Sequence, residues 1–209
     1  MASKDLPTAR PQEQPDVTLI GLVGGPGFGK STQCALLAKG LPIIHLSVGD
    51  TLRAEMNKPG SLYAEIIRAN MSAGRVGPPE LTTRLLRQRM EIAIRTQGIR
   101  TFILDGFPRN LEQCEYLEKM ITPIQRLIVL DCSDEILFER LSTADRNRFD
   151  DQDETMVRKR LATFGETTSE VMKSFEARGA AEHINGEQDL DAVAERMRSI
   201  VNGVLCAKS

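Results

Sequence analysis

Residues 24–31, Gly-Gly-Pro-Gly-Phe-Gly-Lys-Ser, constrain this chain more than any other stretch. They satisfy G-x-x-x-x-G-K-[ST] and stand between an apolar run, VTLIGLV (17–23), and a helical segment, KSTQCALLAK. At average composition the pattern arises by chance in about one chain of this length in a hundred, and the strand–loop–helix setting lowers those odds further. Glycines let the backbone wind tightly enough for successive N–H groups to converge on a polyphosphate. The positive end of the following helix supports the same charge. Lys30 is expected to reach the terminal phosphates, and the Ser31 hydroxyl stands where a Mg²⁺ ligand is needed. A glycine-rich turn without a ligand would leave the Gly29-Lys30-Ser31 triplet unexplained.

Beyond this motif, short apolar runs alternate with helical segments. LPIIHL (41–46), TFILD (101–105), RLIVLD (126–131) and a weaker run at 181–185 join 17–23 as strand candidates, and 189–205 reads as a closing amphipathic helix. Continuous apolar strands, each followed by a helix, predict an α/β fold with a five-stranded parallel sheet covered on both faces, three layers in all. Ligands of such sheets bind at the carboxyl ends of the strands. Two stretches depart from the alternation. Residues 49–96 hold several helical segments and no strand, punctuated by Pro59-Gly60 and Gly77-Pro78-Pro79. That is too much chain for one crossover, so a small helical insertion and a return helix at 80–96 are expected. The charge-dense run 142–154 has little to bury and reads as a lid or as a plain solvated loop.

Composition enters by exclusion. A net charge of −2 argues against a broad footprint on nucleic acid, and 4% aromatics without Trp offer no base-stacking platform. No apolar run reaches the length of a membrane span. Residues 1–16, polar and with three prolines, lack the apolar stretch of a secretory signal and read as a disordered tail, so a cytoplasmic protein is expected. Four cysteines without a C-x-x-C pair, beside two histidines, predict reduced thiols and no zinc.

Elements downstream of the motif narrow the choice among P-loop chemistries. A guanine-recognition element N-K-x-D is missing, since Asn57-Lys58 runs into Pro59-Gly60, and TFILD is followed by Gly106 rather than by a second acid. A phosphotransferase must hold a second, phosphate-bearing substrate in line with the nucleotide. HLSVGDTLR (45–53) and ILDGFPRNLEQ (103–113) each leave a strand and deliver an arginine, Arg53 and Arg109. Two arginines converging from one sheet edge would clamp a monophosphate, of about −2 charge, through bidentate bonds.

With these residues in view, the chain resembles the nucleoside monophosphate kinases, the group containing adenylate kinase and UMP-CMP kinase, from about residue 17 to the C-terminus. The resemblance rests on GGPGFGKST, HLSVGDTLRAE, DGFPRN and RNRFDDQDET. It implies a P-loop NTPase core, a monophosphate-binding insertion at about 46–78 and a short lid at about 142–152. It also implies a monomer whose substrates are ATP, with Mg²⁺, and a nucleoside monophosphate, and closure on both substrates to exclude water. Gly25, Pro26, Gly27, Phe28, Gly29, Lys30, Ser31 and Thr32 then hold ATP, with Lys30 stabilising the transferring phosphoryl group. Arg53 and Arg109 hold the acceptor phosphate, with Gly106 in the same D-G-F-P-R element. Asp105 joins Ser31 at the magnesium, partly through water. Val48, Gly77 and Gln113 lie on the acceptor side. Around the lid, Arg140 matches an ATP-binding arginine, and Arg148 and Arg160 match arginines that meet the acceptor and the transferred phosphate. The spacing departs from the family here: the stretch before Asp150-Asp151 is short, which leaves Arg146 as a substitute. DETMVRKR is one residue long, which leaves Arg158 as an alternative to Arg160. Some of these arginines would instead pair with Asp150, Asp151, Asp153 or Glu154 on a solvated face.

The acceptor base is the last choice. Gln113 lies eight residues after Asp105, where adenylate kinases place a glutamine on adenine, although an amide suits adenine and cytosine edges equally. Asn110 and PELT (79–82) look more like the pyrimidine kinases. Val48 replaces a threonine of adenylate kinases, and Gly77 an apolar residue beside the base. The balance favours AMP as acceptor, in ATP + AMP ⇌ 2 ADP. A UMP/CMP kinase is the alternative, and a P-loop binding protein without transfer activity the third reading.

Overall fold

The first strand, β1 (Thr18–Val23), is buried along its whole length, as a strand covered on both faces must be. The computed structural model describes residues 16–133, 136 and 154–207. Residues 1–15 of the tail expected at 1–16, the lid expected at 142–152, Arg140, Arg146 and Arg148 lie outside the described residues. After β1 come α1 (Lys30–Ala38), β2 (Ile44–Ser47), α2 (Val48–Met56), α3 (Ala64–Ser72), α4 (Pro79–Gln97), β3 (Thr101–Asp105), α5 (Leu111–Met120) and β4 (Ile124–Asp131). The chain continues through α6 (Glu154–Thr163), a π-helical turn (Phe164–Thr168), α7 (Ser169–Ala177), β5 (Ala181–Asn185) and α8 (Leu190–Cys206).

All five strands pair in parallel in the order β2-β3-β1-β4-β5, so β1 is central. Leu19 and Val23 point to one face, where α4, α5 and α7 supply Leu86, Met90, Leu117 and Phe175. Ile20 and Leu22 point to the other, against Cys34 and Leu37 of α1 and Met197 and Val201 of α8. The second strand starts at Ile44 rather than at 41, because Pro42 has no N–H to give to the ladder.

The strandless stretch forms α2, α3 and the long return helix α4, whose Pro79 occupies the first helical turn and whose chain turns out at Gly98. Ser47 caps α2 by accepting from the Asp50 N–H at 3.2 Å. A small apolar cluster of Met56, Ile67, Leu81 and Leu85 ties α2 and α3 to the start of α4, apart from the sheet. Among the described residues no helix is long and apolar enough to cross a membrane.

Candidate active site

The loop after β1 closes into α1 through Gly29, whose φ of 77° lies in the left-handed region that a Cβ disfavours. Lys30, the first residue of α1, folds back over the loop and donates from Nζ to the carbonyls of Gly24 (2.8 Å) and Gly25 (2.7 Å). Burial, opposed by Asp105 and reinforced by the charges of Arg109 and Arg160, brings its pKa down to about 8. It stands at the floor of a cavity of about 520 Å³ that also reaches Pro26, Gly27, Gly29, Ser31 and Thr32. Gly25 is not on the cavity wall and meets the lysine through its carbonyl. Phe28 turns away: only 8% exposed, it packs edge-on against Phe164 at 6.3 Å and lines a second cavity on the far side with Leu130, Cys132 and Arg158. Phe28 thus gives its side chain to this second cavity and not to the first.

Beneath Ser31 lies the end of β3. Ser31 Oγ donates to Asp105 Oδ2 at 2.7 Å, and His45 Nε2 stands 3.0 Å from the same oxygen. Burial alone would raise the Asp105 carboxyl. The His45 hydrogen bond, the Lys30 charge and the Ser31 hydroxyl outweigh it and hold the group below its ordinary range. An ionised carboxylate only accepts, so Nε2 is the protonated nitrogen of His45. A hydroxyl and a carboxylate side by side are hard oxygen donors of the kind Mg²⁺ takes, with water completing the shell, so these residues fit that ion. Cys34 Sγ lies within 4.8 Å of the ligand atoms of His45 and Asp105. Burial pushes its thiol well up, so it remains protonated and packs as an apolar group.

The chain leaves β3 through Gly106 (φ 78°), whose N–H returns to Leu22 O at 2.8 Å, and through a cis Phe107–Pro108 bond. This turn carries Arg109 back into the cavity, where Nε donates to Gly106 O at 3.1 Å. Arg53 reaches the same space from α2, with Nη2 2.6 Å from Asp50 Oδ1. Val48, Gly77 and Gln113 line the same cavity. Gln113 is only 4% exposed and is held at three points. Its backbone N–H is capped by Asn110 Oδ1 (2.8 Å), its Nε2 donates to Gly77 O (3.2 Å), and its Oε1 accepts from the Arg109 N–H (3.4 Å). Arg160 of α6 lines this cavity, whereas Arg158 lines the second one, so of these two it is Arg160 that shares a wall with Lys30, Arg53 and Arg109.

Two contributors, His45 and Thr168, escaped the sequence reading, and Asn110, noted there only for its likeness to the pyrimidine kinases, has a structural part as well. His45 sits two residues before Ser47 on β2, and the register His45↔Ile103, Ser47↔Asp105 puts all four side chains on one sheet face. Thr168, in the π-helical turn, donates from Oγ1 to Arg109 O at 3.2 Å across 59 residues of sequence. Asn110 acts as the cap that orients Gln113.

An adenylate kinase family model matches residues 22–180. A uridylate kinase of Saccharomyces cerevisiae is 34% identical over 201 residues, 95% of this chain and 98% of that protein. A uridylate kinase of Schizosaccharomyces pombe is 37% identical over 180 residues, 85% and 93% of the two chains. UMP-CMP kinase 3 of Arabidopsis thaliana is 40% identical over 185 residues, 88% of each. These pyrimidine-named relatives overturn the expectation that AMP is the acceptor. The error has a physical source: the amide of Gln113 carries a donor and an acceptor and so does not choose among bases, while Asn110 and PELT pointed the other way. The chain is a member of the nucleoside monophosphate kinase family, and its substrates are ATP and a nucleoside monophosphate.

Proposed function

We propose that this chain phosphorylates the pyrimidine monophosphates UMP and CMP, taking the γ-phosphoryl group of ATP. The observation that carries this reading is the likeness, over 85% or more of this chain, to uridylate and UMP-CMP kinases. One continuous cavity running from the P-loop to Gln113 supports it, because in-line transfer needs both substrates in a single enclosure.

The chemistry is positioning and charge management. The loop amides and Lys30 hold the ATP phosphates, and Lys30 exchanges its two loop carbonyls for phosphate oxygens when nucleotide arrives. Arg53 and Arg109 grip the acceptor phosphate, and Arg160 adds positive charge where the phosphoryl group passes. Ser31 and Asp105 would hold Mg²⁺, which neutralises charge on the polyphosphate when bound. His45 keeps Asp105 ionised and aimed at Ser31. No covalent intermediate on the protein is needed.

Initial rates at saturating ATP with UMP, CMP, dCMP, AMP or GMP varied in turn test the acceptor. The expected result is that UMP and CMP give the highest kcat/KM. Faster turnover of a purine monophosphate than of either pyrimidine would overturn the proposal.

A further inference from the structure

The acceptor side of the cavity holds two side-chain amides, and they differ in freedom. Gln113 is pinned, with Nε2 on Gly77 O and Oε1 on the Arg109 N–H, which leaves it one N–H and one lone pair in a set orientation. Asn70, half-buried on α3, lines the same cavity, and its side chain has no hydrogen-bond partner among the described residues. Gly77 stands next to both. Nothing in its own surroundings demands glycine: its φ lies outside the left-handed region, and a Cβ there would meet only Asn70 Nδ2, at 3.9 Å. The absent side chain instead leaves the Asn70 amide open toward the wall that carries Gln113.

We infer that Asn70 is a second base-contacting residue, reading the acceptor ring past Gly77. This rests on the pyrimidine reading of the site. An unpinned amide turns either its oxygen or its NH₂ to the ring, so it meets the 4-oxo group of uracil or the 4-amino group of cytosine with equal ease. Gln113 supplies the set half of the recognition and Asn70 the adaptable half, which accounts for one pocket serving both pyrimidines.

Three variants assayed with UMP and CMP test this. Asn70→Ala is expected to raise KM for both acceptors about fivefold to tenfold, the size of one neutral hydrogen bond, with KM for ATP unchanged. Gly77→Val, which sets a branched carbon against the Asn70 amide, is expected to do the same. Asn70→Asp, which only accepts, is expected to shift the CMP:UMP ratio of kcat/KM toward CMP by about the same factor. Unchanged acceptor KM in Asn70→Ala overturns the assignment. A rise in KM without a changed ratio in Asn70→Asp also overturns it, since loosening of α3 alone would raise KM for both. If the wild type turns over UMP and CMP while these variants match it, only the Asn70 assignment fails. If the wild type turns over neither, the pyrimidine reading fails and this inference with it.

Discussion

At the scale of single residues, the proposed function has charge waiting where phosphate would meet it. Lys30 is held on two carbonyls rather than on a carboxylate, so nucleotide displaces neutral partners and not an ion pair. Lys30→Met should lower kcat by on the order of a hundredfold to a thousandfold, the range for loss of one group that stabilises transition-state charge. Circular dichroism and Tm should stay near wild type, because the lysine bonds only to its own loop. A variant with wild-type kcat would remove Lys30 from the transition state. Arg109→Ala should raise the acceptor KM at least tenfold with little change in KM for ATP, measured by varying each substrate in turn. Lys30, Ser31, Arg53 and Arg109 were legible because motif spacing delivers them from strand ends. His45 and Thr168 were not, since their partners lie 60 and 59 residues away and only the sheet order brings them together.

Among the elements, α5 shows how a helix cap becomes part of a binding site. Asn110 ends the Asp105–Arg109 turn, accepts the Gln113 N–H and so starts the helix with Gln113 facing the cavity. Asn110→Ala should cost about 1 kcal/mol of stability, the usual worth of such a cap, read from urea unfolding. It should also raise the acceptor KM several-fold by freeing the Gln113 backbone. Asn110→Ser, which still caps, should recover most of both losses. A drop in stability with no change in KM would separate the cap from the site. Strands and helices were largely readable, because buried parallel strands are unbroken apolar runs bounded by glycine and proline. The π-helical turn was not, as Phe164–Thr168 has no sequence pattern distinct from an α-helix. It nonetheless supplies both Thr168 for Arg109 and Phe164 for Phe28.

Across the whole molecule, the sheet carries the cavity-lining loops on its central strands and a pH-sensitive clamp at its edge. His183 of β5 bonds through Nδ1 to Asp131 of β4 (2.8 Å) and through Nε2 to Glu176 of α7 (3.0 Å), and the Asp131 bond leads in raising its pKa above the ordinary 6.5. A raised pKa in the folded state means the clamp contributes fully below pH 6.5 and is lost as pH climbs through the raised value. Tm of the wild type should therefore fall over that window relative to His183→Gln, and the difference should shrink in high salt because the histidine is 45% exposed. Parallel profiles for the two proteins would show that the clamp contributes nothing. The fold class was readable at this scale, as was the gathering of the P-loop, Arg53 and Arg109 round one cavity. The acceptor base was not, because one amide fits several rings and the choice depends on how distant walls such as Gly77 and Asn70 shape the space around it. The central claim is that one cavity passes a phosphoryl group from ATP directly to a pyrimidine monophosphate. A single-turnover experiment with γ-labelled ATP, excess enzyme and UMP tests it most directly. The expected result is label in the β-phosphate of UDP at a rate equal to ATP loss; label released as inorganic phosphate, or label that stays in ATP with UMP present but passes rapidly to ADP when AMP replaces UMP, would contradict it.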